Sequence, residues 1–555
     1  MLLNELKKEI TKLEDKRRFH TICGKQYEWI YDSYSHKIYR INRNFVEKII
    51  KNENILEYSS LEENLELFLL CKSIKNNTQD HVEFILPEKK CSIMINTSNR
   101  CNLNCSYCYK SKTETSVNNI ETIKKTLDFV MTKYKPNADE YIISYSMTSE
   151  SSLDLPILKQ IADEYINFEN YQFTDSDIDE ENFMEFYSRL QKDLESCRLF
   201  DFPAENINQV VKFLNSLLSI RNLYDILKLS ENMFNENDRS EIHKRNILAK
   251  WRLFRLNRWC LELLYDKYIH KRKVPFVGFW FMTNGTCASK EFIDFVKSCD
   301  INPLWISLDG PKKVHDSNRK YNLGNGSYDD IIKNLKFFHT NGINLKASAV
   351  LTANFPRPLK IIKHLLSLGF KEISLTPVRP GYECSFSESN VKDLLAGYDE
   401  IFAFLKASAK KNDFSFFHLL KEDMCLAAFY SFFRKIKLIK RCAFDDQIVV
   451  DSKGDIYPCL YFTGNKDFCY GNISNGIGRN RINHKIYVTN RENCKNCWAR
   501  YLCGGTCFYA SYTATGSTLT PAPIECTIRK HLAKRCLELI VFLFENNIAI
   551  NRIIY

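Results

Sequence analysis

The chain has 555 residues, 45% hydrophobic and 26% charged, with a formal net charge of +11. That balance excludes a disordered or fibrous chain, and the length predicts two to four domains. No run of eighteen apolar residues occurs and the N-terminal Met1–Ile10 is charged throughout, so neither a membrane span nor a signal peptide is expected and a cytoplasmic location is predicted.

The lysines are spread, with a denser region from His243 to Lys273, and are read as a solvated surface, not a nucleic-acid site. Residues 1–88 are expected to form a small domain. Tyr27–Ile41 alternates aromatics around a Ser/Asp-rich turn and predicts a hairpin, and helical patterns follow at Phe45–Asn52 and Leu61–Ser73. From Cys91 onward, strand and helix patterns alternate. Strands are predicted at 91–96, 140–147, 275–282, 303–308, 345–351 and 371–376. Helices are predicted at about 119–134, 288–299, 327–340 and 357–368. This alternation predicts parallel βαβ units of an α/β fold over 89–380. Within it, a helical insertion is expected at about 160–272. It includes the basic and aromatic Trp251–Trp259 stretch, read as an amphipathic core helix. A helical linker at 381–440 and a C-terminal helix at 536–555 complete the outline.

There are 21 cysteines, ten of them in spaced clusters. The others, such as Cys260, Cys299 and Cys536, sit in apolar surroundings and read as buried thiols. The most compact cluster is Cys101-x3-Cys105-x2-Cys108, on a turn-rich segment just past the first predicted strand. Thiolates in such a group suit an iron–sulfur cluster or zinc, and three protein ligands leave one metal position open. With Tyr107 just before the third cysteine, the stretch resembles the signature of the radical S-adenosylmethionine (radical SAM) enzymes. The resemblance implies a [4Fe-4S] cluster on Cys101, Cys105 and Cys108 whose open iron holds SAM, and a partial (β/α)6 TIM-like barrel.

Three further stretches are similar to that family. Met147-Thr-Ser-Glu150-Ser follows the second strand where family members carry Gly-Gly-Glu-Pro; the glutamate is kept, while the glycines and proline are not. Thr283-Asn284-Gly285 follows the third strand. Ser307-Leu-Asp309-Gly310-Pro311 and His315-Asp-Ser-Asn-Arg319 follow the fourth. By resemblance, Glu150 holds the SAM amino group, Ser307 and Arg319 its carboxylate, and Tyr107, Thr283 and Asn284 complete the pocket. Leu323–Ser327 reads as a plain turn with no role.

The C-terminal field is Cys442-x11-Gly454-x4-Cys459, then Cys494-x2-Cys497-x5-Cys503-x3-Cys507, then Cys526. It resembles the SPASM domain, assigned to 441–535, and implies two auxiliary [4Fe-4S] clusters. Cys494, Cys497, Cys503 and Cys526 would hold the second; Cys442, Cys459 and Cys507 would hold the first. The first is then one ligand short, to be filled by Cys469 or Cys425 or left open for a substrate thiolate. Sulfatase-maturing members follow the second of these cysteines with an aspartate, whereas here Cys459 precedes Leu460. The resemblance therefore implies a maturase that installs a cross-link, foremost a cysteine thioether, in a ribosomally made precursor peptide. Formylglycine formation and carbon–carbon cross-linking or excision are the alternatives. A leader peptide captured by the N-terminal domain and a flavodoxin or ferredoxin reductant are the implied partners.

Overall fold

The computed structural model describes residues 18–24, 27–41, 90–95, 101–109, 120–134, 140–145, 150–165, 276–299, 301, 303–444, 447–478 and 486–554. The helical patterns at 45–52 and 61–73, the remainder of the helical insertion beyond Tyr165, and Ser149 lie outside them.

Six parallel strands lie side by side in chain order: β4 (Lys90–Ile95), β5 (Glu140–Tyr145), β6 (Phe276–Thr283), β7 (Leu304–Ser307), β8 (Leu345–Leu351) and β9 (Glu372–Pro377). Their apolar runs follow from burial on both faces. Ile93, Ile143, Ile306, Ala347, Leu351 and Ile373 are all fully buried. The crossovers are helical: α1 (Ile120–Phe129), α2 (Leu155–Tyr165), α3 (Lys290–Ser298), α4 (Lys312–Asn318), α5 (Tyr328–Thr340) and α6 (Pro358–Ser367). Each predicted strand and helix of this region is present to within a few residues; α2 and the short α4 were not foreseen. Ser289 caps α3 by accepting from Phe292 N at 3.1 Å.

After β9 come three helices: α7 (Val391–Lys410), α8 (Ser415–Leu419) and α9 (Ala427–Phe433). Beyond it the sheet continues in a way the sequence hides. Strand β10 (Ile448–Val450) pairs parallel with β4, Ile448 opposite Ile93, and is followed antiparallel by β11 (Asp455–Tyr457), β12 (Gly471–Asn472) and β13 (Gly476–Ile477). The cysteine-rich C-terminal part therefore shares one ten-stranded sheet with the parallel region.

Two short helices, α10 (Arg500–Cys503) and α11 (Phe508–Thr515), lead to the long α12 (Pro523–Glu545), and α13 (Asn551–Ile554) closes the chain. Helix α12 runs unbroken across the boundary expected at 535/536. It is apolar on several faces, with Ile528, Leu532, Cys536, Leu537, Ile540 and Leu543 all buried, because elements cover it on more than one side. Asp399 of α7 takes a bidentate pair from Arg535 at 2.7 and 2.9 Å and a bond from His531 at 2.6 Å. The N-terminal hairpin is present as β2 (Glu28–Asp32) and β3 (Lys37–Ile41), with an unforeseen third strand, β1 (Phe19–Cys23). This sheet rests on the C-terminal part. His20 stacks on Trp498 at 3.8 Å, and Trp29 Nε1 donates to Glu545 at 3.1 Å. One continuous core joins it to the parallel sheet and α12.

Candidate active site

The loop that follows β4 carries Cys101, Cys105 and Cys108, and its shape is set by the segment after α4. Asn104 N donates to Lys320 O at 2.7 Å, Ser106 N to Asn318 O at 2.9 Å, and Asn322 N to Asn102 O at 3.3 Å. The loop is thus strapped to the residues flanking Arg319. The three thiols lie within electrostatic reach of one another, and burial pushes Cys105 up to about 11, with Arg319 opposing. Among the described residues no three His, Cys, Asp or Glu side chains gather closely enough for a single metal ion.

Around this loop stand the other predicted residues. Glu150 is buried at the start of a short 3-10 turn. Its Oε1 accepts from Thr283 Oγ1 at 2.5 Å and Ser152 Oγ at 2.7 Å, and its Oε2 accepts from Asn284 N at 2.6 Å. Burial pushes this carboxyl up, and the hydrogen bonds pull it back. A carboxylate offers about four acceptor directions, so Oε2 keeps one free for a further donor such as an ammonium group. Ser152, two residues past the glutamate, supplies two donors to Oε1, its Oγ and its N at 3.2 Å.

Asn284 spans two elements. Its Nδ2 donates to Asn102 Oδ1 at 2.8 Å and approaches Cys101 Sγ at 4.0 Å, while its Oδ1 accepts from Thr286 N at 2.9 Å. Gly285 follows at φ +74°, a turn conformation that an L side chain would strain.

Asp309 is the hub that sequence reasoning left without a role. Fully buried, it accepts from Arg319 Nε at 3.1 Å and Val350 N at 3.0 Å, and Tyr107 OH donates to its other oxygen. Arg319 lies over the Tyr107 ring at 5.4 Å. With Nε committed to Asp309, the Nη1 and Nη2 donors make no hydrogen bond among the described residues, a fork free for a carboxylate. Ser307 is buried nearby in the same strand-to-helix segment.

Ser327, read as part of a plain turn, also has work to do. The network places the His315 proton on Nε2: Asp309 N donates to Nδ1 at 3.3 Å, and Nε2 pairs with Ser327 Oγ at 2.9 Å. Ser327 Oγ then donates to Arg319 O at 2.8 Å, fixing the backbone that carries the fork. Burial lowers His315 to about 4. Its folded value lies below the unfolded 6.5, so the neutral ring contributes stability at pH 7 that is lost as pH falls from 6.5 toward 4. We expect His315→Gln to flatten that part of the stability–pH curve, read by urea denaturation at pH 7 and pH 5. An unchanged difference between the two pH values would rule out this titration.

The C-terminal cysteines form two groups. Cys494, Cys497, Cys503 and Cys526 neighbour one another, and burial pushes Cys494 up to about 12, with Arg491 opposing. Cys442, Cys459 and Cys507 form the other; burial, then the neighbouring Cys507, pushes Cys442 up to about 11. Neither candidate for its fourth ligand is part of that group. Cys425 is fully buried in the apolar core, where its carbonyl accepts from Cys536 Sγ at 3.1 Å. Cys469 packs with Met94, Val449 and Tyr457 and donates to Gly471 O at 3.4 Å. A cavity of about 550 Å³ opens beside this group, lined by Cys442, Cys507, Arg379, Arg441, Glu525 and the end of β9. Between the two sites run Tyr109, next to Cys108, and Tyr461, with ring centroids 4.3 Å apart, then Tyr509 at 4.9 Å.

No family model matches the chain. It is 27% identical over 244 residues to the cysteine-type anaerobic sulfatase-maturating enzyme of Clostridium perfringens, covering 40% of this chain and 63% of that one. It is 21% identical over 252 residues to the serine-type enzyme of Bacteroides thetaiotaomicron, covering 40% and 59%. The chain thus spans less than two thirds of the length of these curated relatives. Among solved structures, native anSMEcpe with bound AdoMet superposes with a TM-score of 0.52 at 17% identity, covering 83% of this chain and 100% of that one. The same protein with bound AdoMet and Kp18Cys peptide superposes with a TM-score of 0.51. Fold and sequence likeness agree: over 40% of its length the chain is similar to the anaerobic sulfatase-maturating enzymes, and it shares the fold of anSMEcpe.

Proposed function

We propose that the enzyme installs a thioether cross-link, between a cysteine sulfur and a carbon, in a ribosomally made precursor peptide. The observation that carries this reading is the three-cysteine group Cys442, Cys459 and Cys507 beside a cavity, with the Cys425 thiol buried against Asp423 and Cys469 donating to Gly471 O. An iron left open there is suited to bind and deprotonate a substrate thiol.

The donor set fits the cofactors. Cys101, Cys105 and Cys108 would hold the first [4Fe-4S] cluster, and the two C-terminal groups two auxiliary clusters. The Arg319 fork and Ser307 suit the carboxylate of SAM, and the free direction on Glu150 suits its ammonium. Tyr107, Thr283 and Asn284 keep these groups in place through Asp309, Glu150 and Asn102. When bound, cluster and SAM supply a 5′-deoxyadenosyl radical that takes a hydrogen atom from the peptide. The Tyr109, Tyr461 and Tyr509 rings wall the space between the loop and the auxiliary group, limiting water there.

In this reading the parallel sheet is the partial radical SAM barrel and the C-terminal part a SPASM domain. The β1–β3 sheet would take the leader peptide by strand addition. A flavodoxin or ferredoxin would supply electrons, and the cytoplasm is the proposed setting. Formylglycine formation is the second reading, supported by the sulfatase-maturating relatives. It is disfavoured by Leu460 at the place of the expected aspartate. Carbon–carbon cross-linking or excision is a further variant of the same radical chemistry.

The test is mass spectrometry after incubating reconstituted enzyme, SAM and a reductant with two substrates. One is a cysteine-type sulfatase peptide, the other a cysteine-containing candidate precursor peptide. A thioether retains the sulfur while the thiol becomes resistant to alkylation, and this is the expected result on the precursor. Loss of the sulfur from the sulfatase peptide would overturn it in favour of formylglycine.

A further inference from the structure

Three arginines stand near the auxiliary cysteines, and none has a carboxylate to itself. Arg491 is fully buried, at 0% exposure. It donates to Thr506 O at 2.8 Å, Ser511 Oγ at 2.9 Å, Thr506 Oγ1 at 3.2 Å and Leu519 O at 3.5 Å, all neutral groups. It also packs over the Phe508 ring at 4.6 Å. The backbone is shaped around it: Gly505 has φ +84°, and a β-carbon there would come within 2.8 Å of Nη1. Arg441, next to Cys442, makes no side-chain hydrogen bond or ion pair among the described residues; Arg529 repels it, and Cys503, Asp423 and Glu525 are its negative neighbours. Arg379 has a buried Nε without a partner and lies 3.9 Å from Glu525. That carboxylate is already held by Arg529 at 2.5 and 2.7 Å.

A guanidinium taken out of water needs an anion nearby, or the fold bears its desolvation cost. The foremost negative partner of each is a thiol group, Cys494 for Arg491, Cys503 for Arg441 and Cys507 for Arg379; the carboxylate of Glu525 comes after it and is shared by all three and by Arg529. Protonated thiols are neutral and balance nothing. Thiolates on an iron–sulfur cluster carry the missing negative charge, and reduction by one electron adds another with no proton to offset it. We infer that Arg491, Arg441 and Arg379 are built-in counter-charges of two anionic thiolate-ligated clusters, and that they raise the clusters' reduction potentials. This rests on the two-auxiliary-cluster reading above. The electron comes from the external protein reductant, no bond is made or broken, and the guanidiniums favour the reduced form by charge alone.

The experiment is a redox titration followed by electron paramagnetic resonance on the reconstituted full chain. It compares wild type with Arg491→Met, Arg491→Lys and Arg441→Met, after iron and sulfide analysis of each. Arg491→Met is expected to lower the midpoint of one auxiliary cluster, making its one-electron reduction about tenfold less favourable, ~59 mV. Arg491→Lys, which keeps the charge but loses the fork, should keep most of the wild-type potential. The signal of the cluster on Cys101, Cys105 and Cys108 should stay where it is. A purely structural Arg491 would affect thermal stability in both variants and leave the potentials alone. Should Arg491→Met fail to fold, Arg441→Met decides, because it breaks no described hydrogen bond and should also lower an auxiliary midpoint. Unchanged auxiliary potentials in a fully loaded Met variant would overturn the inference. Zinc, or absent sulfide, in the wild type would instead overturn the cluster reading beneath it.

Discussion

Cys101→Ala is expected to abolish reductive cleavage of SAM while leaving the auxiliary iron in place. Its thiol stands with Cys105 and Cys108 on a loop held by backbone bonds to Asn318 and Lys320, so the loop keeps its path without it. The auxiliary groups sit elsewhere in the chain, from Cys442 just before β10 to Cys526 on α12, and share no ligand with this loop. Three [4Fe-4S] clusters predict about 12 irons per chain, falling to about 8 in a Cys101/Cys105/Cys108→Ala triple variant, with matching sulfide. Anaerobic reconstitution followed by iron, sulfide and 5′-deoxyadenosine assays reads all of this at once. Cleavage that survives Cys101→Ala would remove the loop from its assigned place. Zinc in the C-terminal groups would make those cysteines structural and leave a thioether without a thiol-binding iron.

The parallel strands were legible because their burial is local in its sequence signature. Cys91–Ile95, Phe276–Thr283 and Leu345–Leu351 are short apolar runs ended by turns, and the helices between them keep a helical period. Strand β10 is only three residues long, and its pairing with β4 joins positions more than three hundred residues apart. No local pattern carries such a contact. The polar hub was hidden for a related reason. Asp309, His315 and Ser327 each fit an ordinary turn or helix, and only the fold brings them to one side of Arg319. Of the auxiliary residues, cysteine spacing identifies the thiols but says nothing of Arg491, whose neutral hydrogen-bond partners come from the α10–α12 region. A glycine pair, Gly504-Gly505, was the one available sign of a tight approach there.

Arg319→Lys and Asp309→Ala should separate two functions that the Asp309 hub combines. Lysine keeps the charge but replaces the planar fork with a point charge on a flexible stem. Its ammonium can still reach Asp309, so folding stability should change little. SAM affinity is expected to drop about tenfold or more, ~1.4 kcal/mol or above, because a bidentate carboxylate contact is reduced to a single one. Asp309→Ala acts the other way. It strips Arg319, 9% exposed, of its only carboxylate among the described residues and frees Tyr107 OH and Val350 N. Breaking a buried pair from one side costs about 3–5 kcal/mol, so this variant should unfold at clearly lower urea concentration. Equilibrium SAM binding on reconstituted protein, beside denaturation curves, checks both. If Arg319→Lys binds SAM as tightly as wild type, the free fork does not hold the carboxylate. If Asp309→Ala is as stable as wild type, the hub is not the support that its hydrogen bonds describe. The expected combination, affinity lost in one variant and stability in the other, would make Asp309 a positioning residue that acts through Arg319 and Tyr107 without touching SAM.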